Sequence, residues 1–148
     1  MRLVIQRVSR ADVRIGDRLV GAIDRGLAIL AGVHEDDTDA DADALADKAF
    51  KLRIFADEAG KMNLAASDVG GRFLVVSQFT LYADTSRGRR PSFIHAAPAE
   101  LGESLYRRFV DQLQRLGGEV ETGEFGAEMV VRIENDGPVT IILESRAD

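Results

Sequence analysis

Leu3-Val4-Ile5-Gln6-Arg7-Val8 opens a chain whose first 33 residues hold three more runs of the same kind. Ala11-Asp12-Val13-Arg14-Ile15 alternates apolar and polar residues, the pattern of a strand buried on one face. Gly16-Asp17 then offers a hairpin turn into Arg18-Leu19-Val20-Gly21-Ala22-Ile23. After Asp24-Arg25-Gly26 comes Leu27-Ala28-Ile29-Leu30-Ala31-Gly32-Val33, apolar on both faces and therefore interior to a sheet. Four strands joined by short turns predict a β-meander.

Two helices follow from periodicity. Ala42, Leu45, Ala46, Ala49, Phe50 and Leu52 form one apolar stripe. Thr38 or Asp39 serves as its N-cap, and Asp39, Asp41 and Asp43 suit the positive end of its dipole. Leu101, Leu105, Phe109, Leu113 and Leu116 form the second stripe, started by Pro98-Ala99-Glu100 and ended by Gly117-Gly118. Between them, Phe73-Leu74-Val75-Val76 reads as a buried strand. Glu119 to Gly123 is strand-like. Met129–Glu134 and Val139–Glu144 read as two strands flanking a turn at Asn135-Asp136-Gly137-Pro138. The whole predicts one α+β domain over residues 1–148: a curled, largely antiparallel sheet or partial β-barrel with two packed helices.

Composition narrows the function. A net charge of −6 argues against coating DNA or RNA through bulk electrostatics, and leaves room only for a local basic patch. No apolar run reaches the ~20 residues of a membrane helix, nothing at the start resembles a signal peptide, and cysteine is absent; a cytoplasmic protein is expected. His34 and His95 are the only histidines and stand far apart in sequence. With no cysteine cluster and no glycine-rich phosphate loop, neither a metal nor another cofactor is expected. The acidic run from Glu35 to Asp43 lacks the glycine turn and closing glutamate of a calcium loop, and reads as a helix start.

Candidate chemistry lies where the buried strand turns polar, at Ser77-Gln78-Phe79-Thr80. Such an end either delivers hydroxyls, an amide and backbone N–H groups to a cleft or pairs them with neighbouring strands. In a cleft these groups can orient a carbonyl and stabilise an oxyanion without reacting. Ser77 or Thr80 as nucleophile needs a base, for which only His95 offers itself. Asn135-Asp136-Gly137-Pro138-Val139-Thr140 is odd for a plain hairpin, because Pro138 removes a backbone donor and fixes φ. Arg87, Arg89 and Arg90 crowd the loop just after the polar strand end, either as a solvated loop or as a phosphate grip.

Together, Ser77-Gln78-Phe79-Thr80 and Asn135-Asp136-Gly137-Pro138-Val139-Thr140 resemble the two motifs of the D-aminoacyl-tRNA deacylases. Gln6-Arg7-Val8, Gly60-Lys61-Met62-Asn63 and Arg90-Pro91-Ser92-Phe93 extend the resemblance along the chain, and Ser77 and Phe79 match the main branch. The resemblance implies a homodimeric hydrolase that cleaves the ester at the 3′ end of D-aminoacyl-tRNA, and of mischarged glycyl-tRNA, in translation quality control. It implies that Gly137 and Pro138, joined by a cis bond, reach into the partner's pocket and exclude L-aminoacyl substrates. Arg7, Asn135 and Thr140 would support that motif. The terminal ribose's 2′-hydroxyl would assist catalysis while Ser77, Gln78, Phe79 and Thr80 position the ester; the alternative makes Thr80 the nucleophile. Phe125 and Met129 are expected at the adenine. Arg87, Arg89 and Arg90, then Lys51 and Arg53, are expected at tRNA phosphates. The partners are thus a tRNA 3′ end and a second copy, with no membrane and no DNA.

Overall fold

The computed structural model describes residues 1–146. Its first element is one long strand, β1 (Arg2–Ile15), where the sequence suggests two. Ser9 and Arg10 are exposed, yet the backbone stays extended through them. Strand limits are set by the neighbours that take the ladder bonds. β8 (Val130–Glu144) pairs with β1 from Arg2 to Arg14 and carries it across the polar interruption. On its other side β1 divides its partners: residues 2–8 pair with β3 (Gly26–Gly32), and residues 11–15 with β2 (Arg18–Ile23).

The second half of the sheet is parallel. β6 (Arg72–Ser77) lies beside β3, and β7 (Val120–Thr122) beside β6. The order β2-β1-β3-β6-β7, with β8 on β1, makes a nearly closed curled sheet, barrel-like with a seam. The meander is therefore followed by crossover connections, each carrying one helix: α1 (Asp39–Phe50) and α2 (Ala99–Arg115). A small second sheet, β4 (Phe55–Ala56) with β5 (Met62–Leu64), had no counterpart in the sequence reading.

β3 and β6 are apolar on both faces because each face meets a different core. Leu27, Ile29, Phe73 and Val75 pack with Leu105, Phe109 and Leu113 of α2. Leu74 and Val76 turn the other way, with Val8, Val13 and Ile23 inside the curl. Full burial of a Leu, Ile or Phe contributes about 1.5–3 kcal/mol, so these two layers dominate the stability. Thr38 caps α1, its N–H donating to Asp41 Oδ2 at 2.8 Å. At the end of α2, Gly117 takes φ +104° and the Gly118 N–H closes on Leu113 O at 2.9 Å.

The expected turn at Asn135–Pro138 does not reverse the chain. From Gln6↔Thr140 to Val8↔Asn135, β1 advances two residues while β8 advances five. Asp136, Gly137, Pro138 and Val139 consequently loop out opposite Arg7. Both arms of β8 pair with β1, not with each other, so the segment is an expanded bulge within one strand.

Candidate functional site

β6 leaves the sheet at Ser77. Gln78 is still held to β3 by its N–H, which donates to Ala31 O at 2.8 Å. The chain then tightens into a 3-10 turn, Phe79–Tyr82, whose first backbone bond runs from the Leu81 N–H to Gln78 O. The Phe79 and Thr80 N–H groups precede that bond and have no partner within the turn. Gly32 permits this packing: a Cβ there would lie 3.0 Å from Gln78 O and 3.1 Å from Leu81 Cβ.

Against this strand end lies a cavity of about 410 Å³. Ser77, Gln78 and Phe79 form one wall; Gly102 and Tyr106 of α2 form another; Phe125 and Met129 close it. Five of the sequence-predicted residues thus meet around one space. Thr80 does not line it. Its side chain is exposed and accepts a hydrogen bond from Gln78 Nε2.

The lining is poor in acids and bases. No histidine, carboxylate, lysine or arginine borders the cavity among the described residues. Tyr106 is its one titratable group, and the phenol donates to Val75 O at 2.9 Å. Burial pushes this phenol up to about 12, so it remains protonated at neutral pH. Sequence reasoning passed over Tyr106, although its place three residues before Phe109 puts it on the helix's apolar face. The cavity can therefore bind an apolar or aromatic group and present polar donors at one end. It does not offer a side-chain general base.

His95, the base considered from sequence, is beside His34 instead. Their rings stack at 5.9 Å between centroids, and His95 Nδ1 lies 3.2 Å from Glu35 Oε1. These three residues could hold a cation, their ligand atoms lying within 4.8 Å of one another. Two residues far apart in sequence meet because Glu35 N–H bonds to His95 O.

The second motif stands apart from the cavity. Gly137 and Pro138 are exposed and joined by a cis bond, and neither lines the cavity of their own chain. Arg7 braces the bulge: Nε donates to Asp136 O at 3.0 Å, and Nη1 to Ile54 O at 2.7 Å. Within it, the Val139 N–H donates to Asn135 Oδ1 at 2.9 Å. The Thr140 hydroxyl accepts from Asn135 Nδ2 and Gln6 Nε2. Gly137 sits at φ +137°, where a Cβ would come 2.7 Å from Val139 Cγ2 and 3.1 Å from Arg7 Nη2.

Arg87, Arg89 and Arg90 are all exposed on a loop following the 3-10 turn. Lys51 is paired with Asp47, and Arg53 Nε donates to Asn63 O, at the far end of α1.

Residues 4–144 match the family model described as D-Tyr-tRNA(Tyr) deacylase. Proteins named D-aminoacyl-tRNA deacylase are 57% identical in Thermotoga petrophila (98% of this chain, 97% of that protein) and 59% identical in Roseiflexus castenholzii (98% and 92%). A solved structure titled c-Myc DNA unwinding element binding protein superposes with a TM-score of 0.93 at 41% identity, covering 99% of this chain and 100% of the other. Another, titled a probable eukaryotic D-amino acid tRNA deacylase, shares the fold at a TM-score of 0.84 and 18% identity, over 97% and 98% of the two chains.

Proposed function

The chain belongs to the D-aminoacyl-tRNA deacylase family, and from that premise we propose that its cavity receives the 3′-terminal aminoacyl-adenosine of tRNA. It is an ester hydrolase: water adds to the aminoacyl carbonyl, the bond to the ribose oxygen breaks, and free tRNA and a D-amino acid leave.

The observation that carries the catalytic reading is a row of polar donors in a cavity lined, among the described residues, by no histidine or carboxylate. The adenine stacks between Phe125 and Met129. Ser77, Gln78 and the backbone N–H groups of Phe79 and Thr80 orient the ester and stabilise its oxyanion. The substrate's own 2′-hydroxyl relays the proton, taking one from the attacking water as it gives its own to the departing 3′-oxygen, since no described residue lining the cavity supplies a base. Thr80 is a positioning residue in this scheme. Its exposure and its bond from Gln78 Nε2 favour that role over the nucleophilic one.

Chirality is policed by a second copy. The Gly137 and Pro138 carbonyls reach from one subunit into the other's cavity, accept bonds from the substrate ammonium, and leave no room for an L side chain. Their exposure and their absence from their own cavity's lining support a role between subunits, as do the exposed apolar residues Val130 and Ile142 on β8. Glycine lacks the excluded group, so mischarged glycyl-tRNA is also a substrate. The protein acts as a homodimer in the cytoplasm, on tRNA, without DNA or a membrane. No described helix is long and apolar enough to cross one.

The test is deacylation of matched D-Tyr-tRNA and L-Tyr-tRNA, repeated on tRNA ending in 2′-deoxyadenosine. The expected result is hydrolysis of the D-ester alone, and only with the 2′-hydroxyl present. Hydrolysis of both enantiomers would remove the exclusion mechanism. Indifference to the hydroxyl would return Thr80 as nucleophile.

A further inference from the structure

Beyond the cavity's mouth the surface carries an aromatic pair. Phe79 and Phe93 meet edge to face with centroids 5.0 Å apart, and stand 59% and 36% exposed. Ile94 beside them is 69% exposed. Large apolar side chains left open together mark a contact surface more often than a structural need.

Their surroundings identify the partner. The loop Thr85–Pro91 is pinched shut by two backbone bonds between Asp84 and Ser92, of 2.7 and 2.9 Å, so its base adjoins Phe93. Asp84 Oδ1 also takes the Ser86 N–H at 2.9 Å. The loop carries Arg87, Arg89 and Arg90 into solvent, whereas Arg2, Arg72 and Arg108 are engaged with carboxylates. Open aromatic faces beside exposed guanidinium groups are the combination that holds single-stranded nucleic acid without reading its sequence. Phe79 also lines the cavity, so the aromatic pair begins where the site of the terminal nucleotide ends.

We propose that Phe79 and Phe93 form a stacking platform for the unpaired nucleotide that precedes the terminal adenosine, with the loop arginines on the adjoining phosphates. This rests on the RNA-ester reading above and extends it one nucleotide along the strand. The platform accounts for how an acidic protein grips RNA: a π face and a short basic loop replace a broad basic surface.

The experiment uses Phe93→Leu, which keeps apolar bulk and removes the π face, and Phe93→Trp, which restores it. For each, kcat/KM is measured on D-aminoacyl-tRNA and on D-aminoacyl-adenosine, which lacks the preceding nucleotide. The ratio of the two should fall about tenfold in F93L, through KM, and recover in F93W. In parallel, a short RNA with 2-aminopurine before its terminal adenosine should lose fluorescence on binding the wild type and not F93L. An equal loss on both substrates, an unchanged ratio, or a shift of F93L in sedimentation that reports a protein partner would each overturn the platform. Failure of the wild type to cleave either ester would count against the enzymatic reading, while the fluorescence would still decide the platform.

Discussion

Arg7 ties three places together: β1 on which it stands, the Ile54 carbonyl after α1, and the Asp136 carbonyl in the bulge of β8. The guanidinium spans the two carbonyls through separate N–H groups, which an ammonium on a lysine cannot reproduce. Its ion pair with exposed Asp136, at 3.7 Å, adds little. Arg7→Ala should therefore lower kcat/KM on a D-ester by about tenfold or more, with Arg7→Lys recovering only part. Steady-state kinetics on D-Tyr-tRNA checks this. Gly137→Ala should be more damaging, because φ +137° and the 2.7 Å approach to Val139 both disfavour a Cβ. Thr80→Ala removes a hydroxyl that does not line the cavity, and should keep kcat within about tenfold of the wild type. A fall of thousands-fold would instead mark a nucleophile.

Among the elements, α2 has the most to do. Its apolar face covers the parallel strands, and its first turns form a cavity wall through Gly102 and Tyr106. Phe109 is fully buried at the centre of that contact. Phe109→Ala should cost about 3–5 kcal/mol in denaturant unfolding. Arg108 joins α2 to α1, donating to Asp43 at 2.8 and 2.7 Å and to Asp39 at 2.9 Å. These groups are partly exposed, so the cross-link fixes the angle between helices more than it adds stability. The 57–63 turn depends on Asp57, whose carboxylate accepts the Lys61 and Ala59 N–H groups and the Asn63 amide. The Lys61 N–H, chiefly, holds its pKa below the ordinary 3.8. A carboxylate depressed in the folded state stabilises fully above 3.8, and that stability is lost as pH falls through the lowered value. Asp57→Asn should accordingly flatten the acid limb of the stability–pH curve, as followed by thermal unfolding below pH 4.

On the scale of the whole molecule, the charge of −6 and the three-arginine loop set the character of RNA binding. With three phosphates contacted at most, log K against log salt should fall with a slope no steeper than about −2. Arg90→Ala should reduce it by about 0.7. Filter binding over a salt series measures both, and a much steeper slope would require a larger basic contact than the three-arginine loop.

Much of this was legible in the residues themselves. Helix stripes, caps and the two-sided apolar runs of β3 and β6 follow from periodicities of 3.6 and 2, which are local properties. Asn135–Thr140 could be picked out by its mismatch with an ordinary hairpin turn, whereas Ser77–Thr80 read equally well as an ordinary strand end until the two motifs were taken together. What the sequence could not decide was pairing. Ser9-Arg10 looked like a break and Asn135–Pro138 like a hairpin, because polarity and turn residues are visible locally. Both segments stay within single strands, since β1 and β8 bond to each other along their length. The same pairing placed Gly137 opposite Arg7, off the lining of its own cavity, and a backbone bond from the Glu35 N–H to His95 O brought His95 to His34. Tyr106 joined the cavity wall only through the packing of α2 on β6. Side-chain patterns determined which segments became helix or strand; the hydrogen bonds between distant strands decided which residues came to share a site.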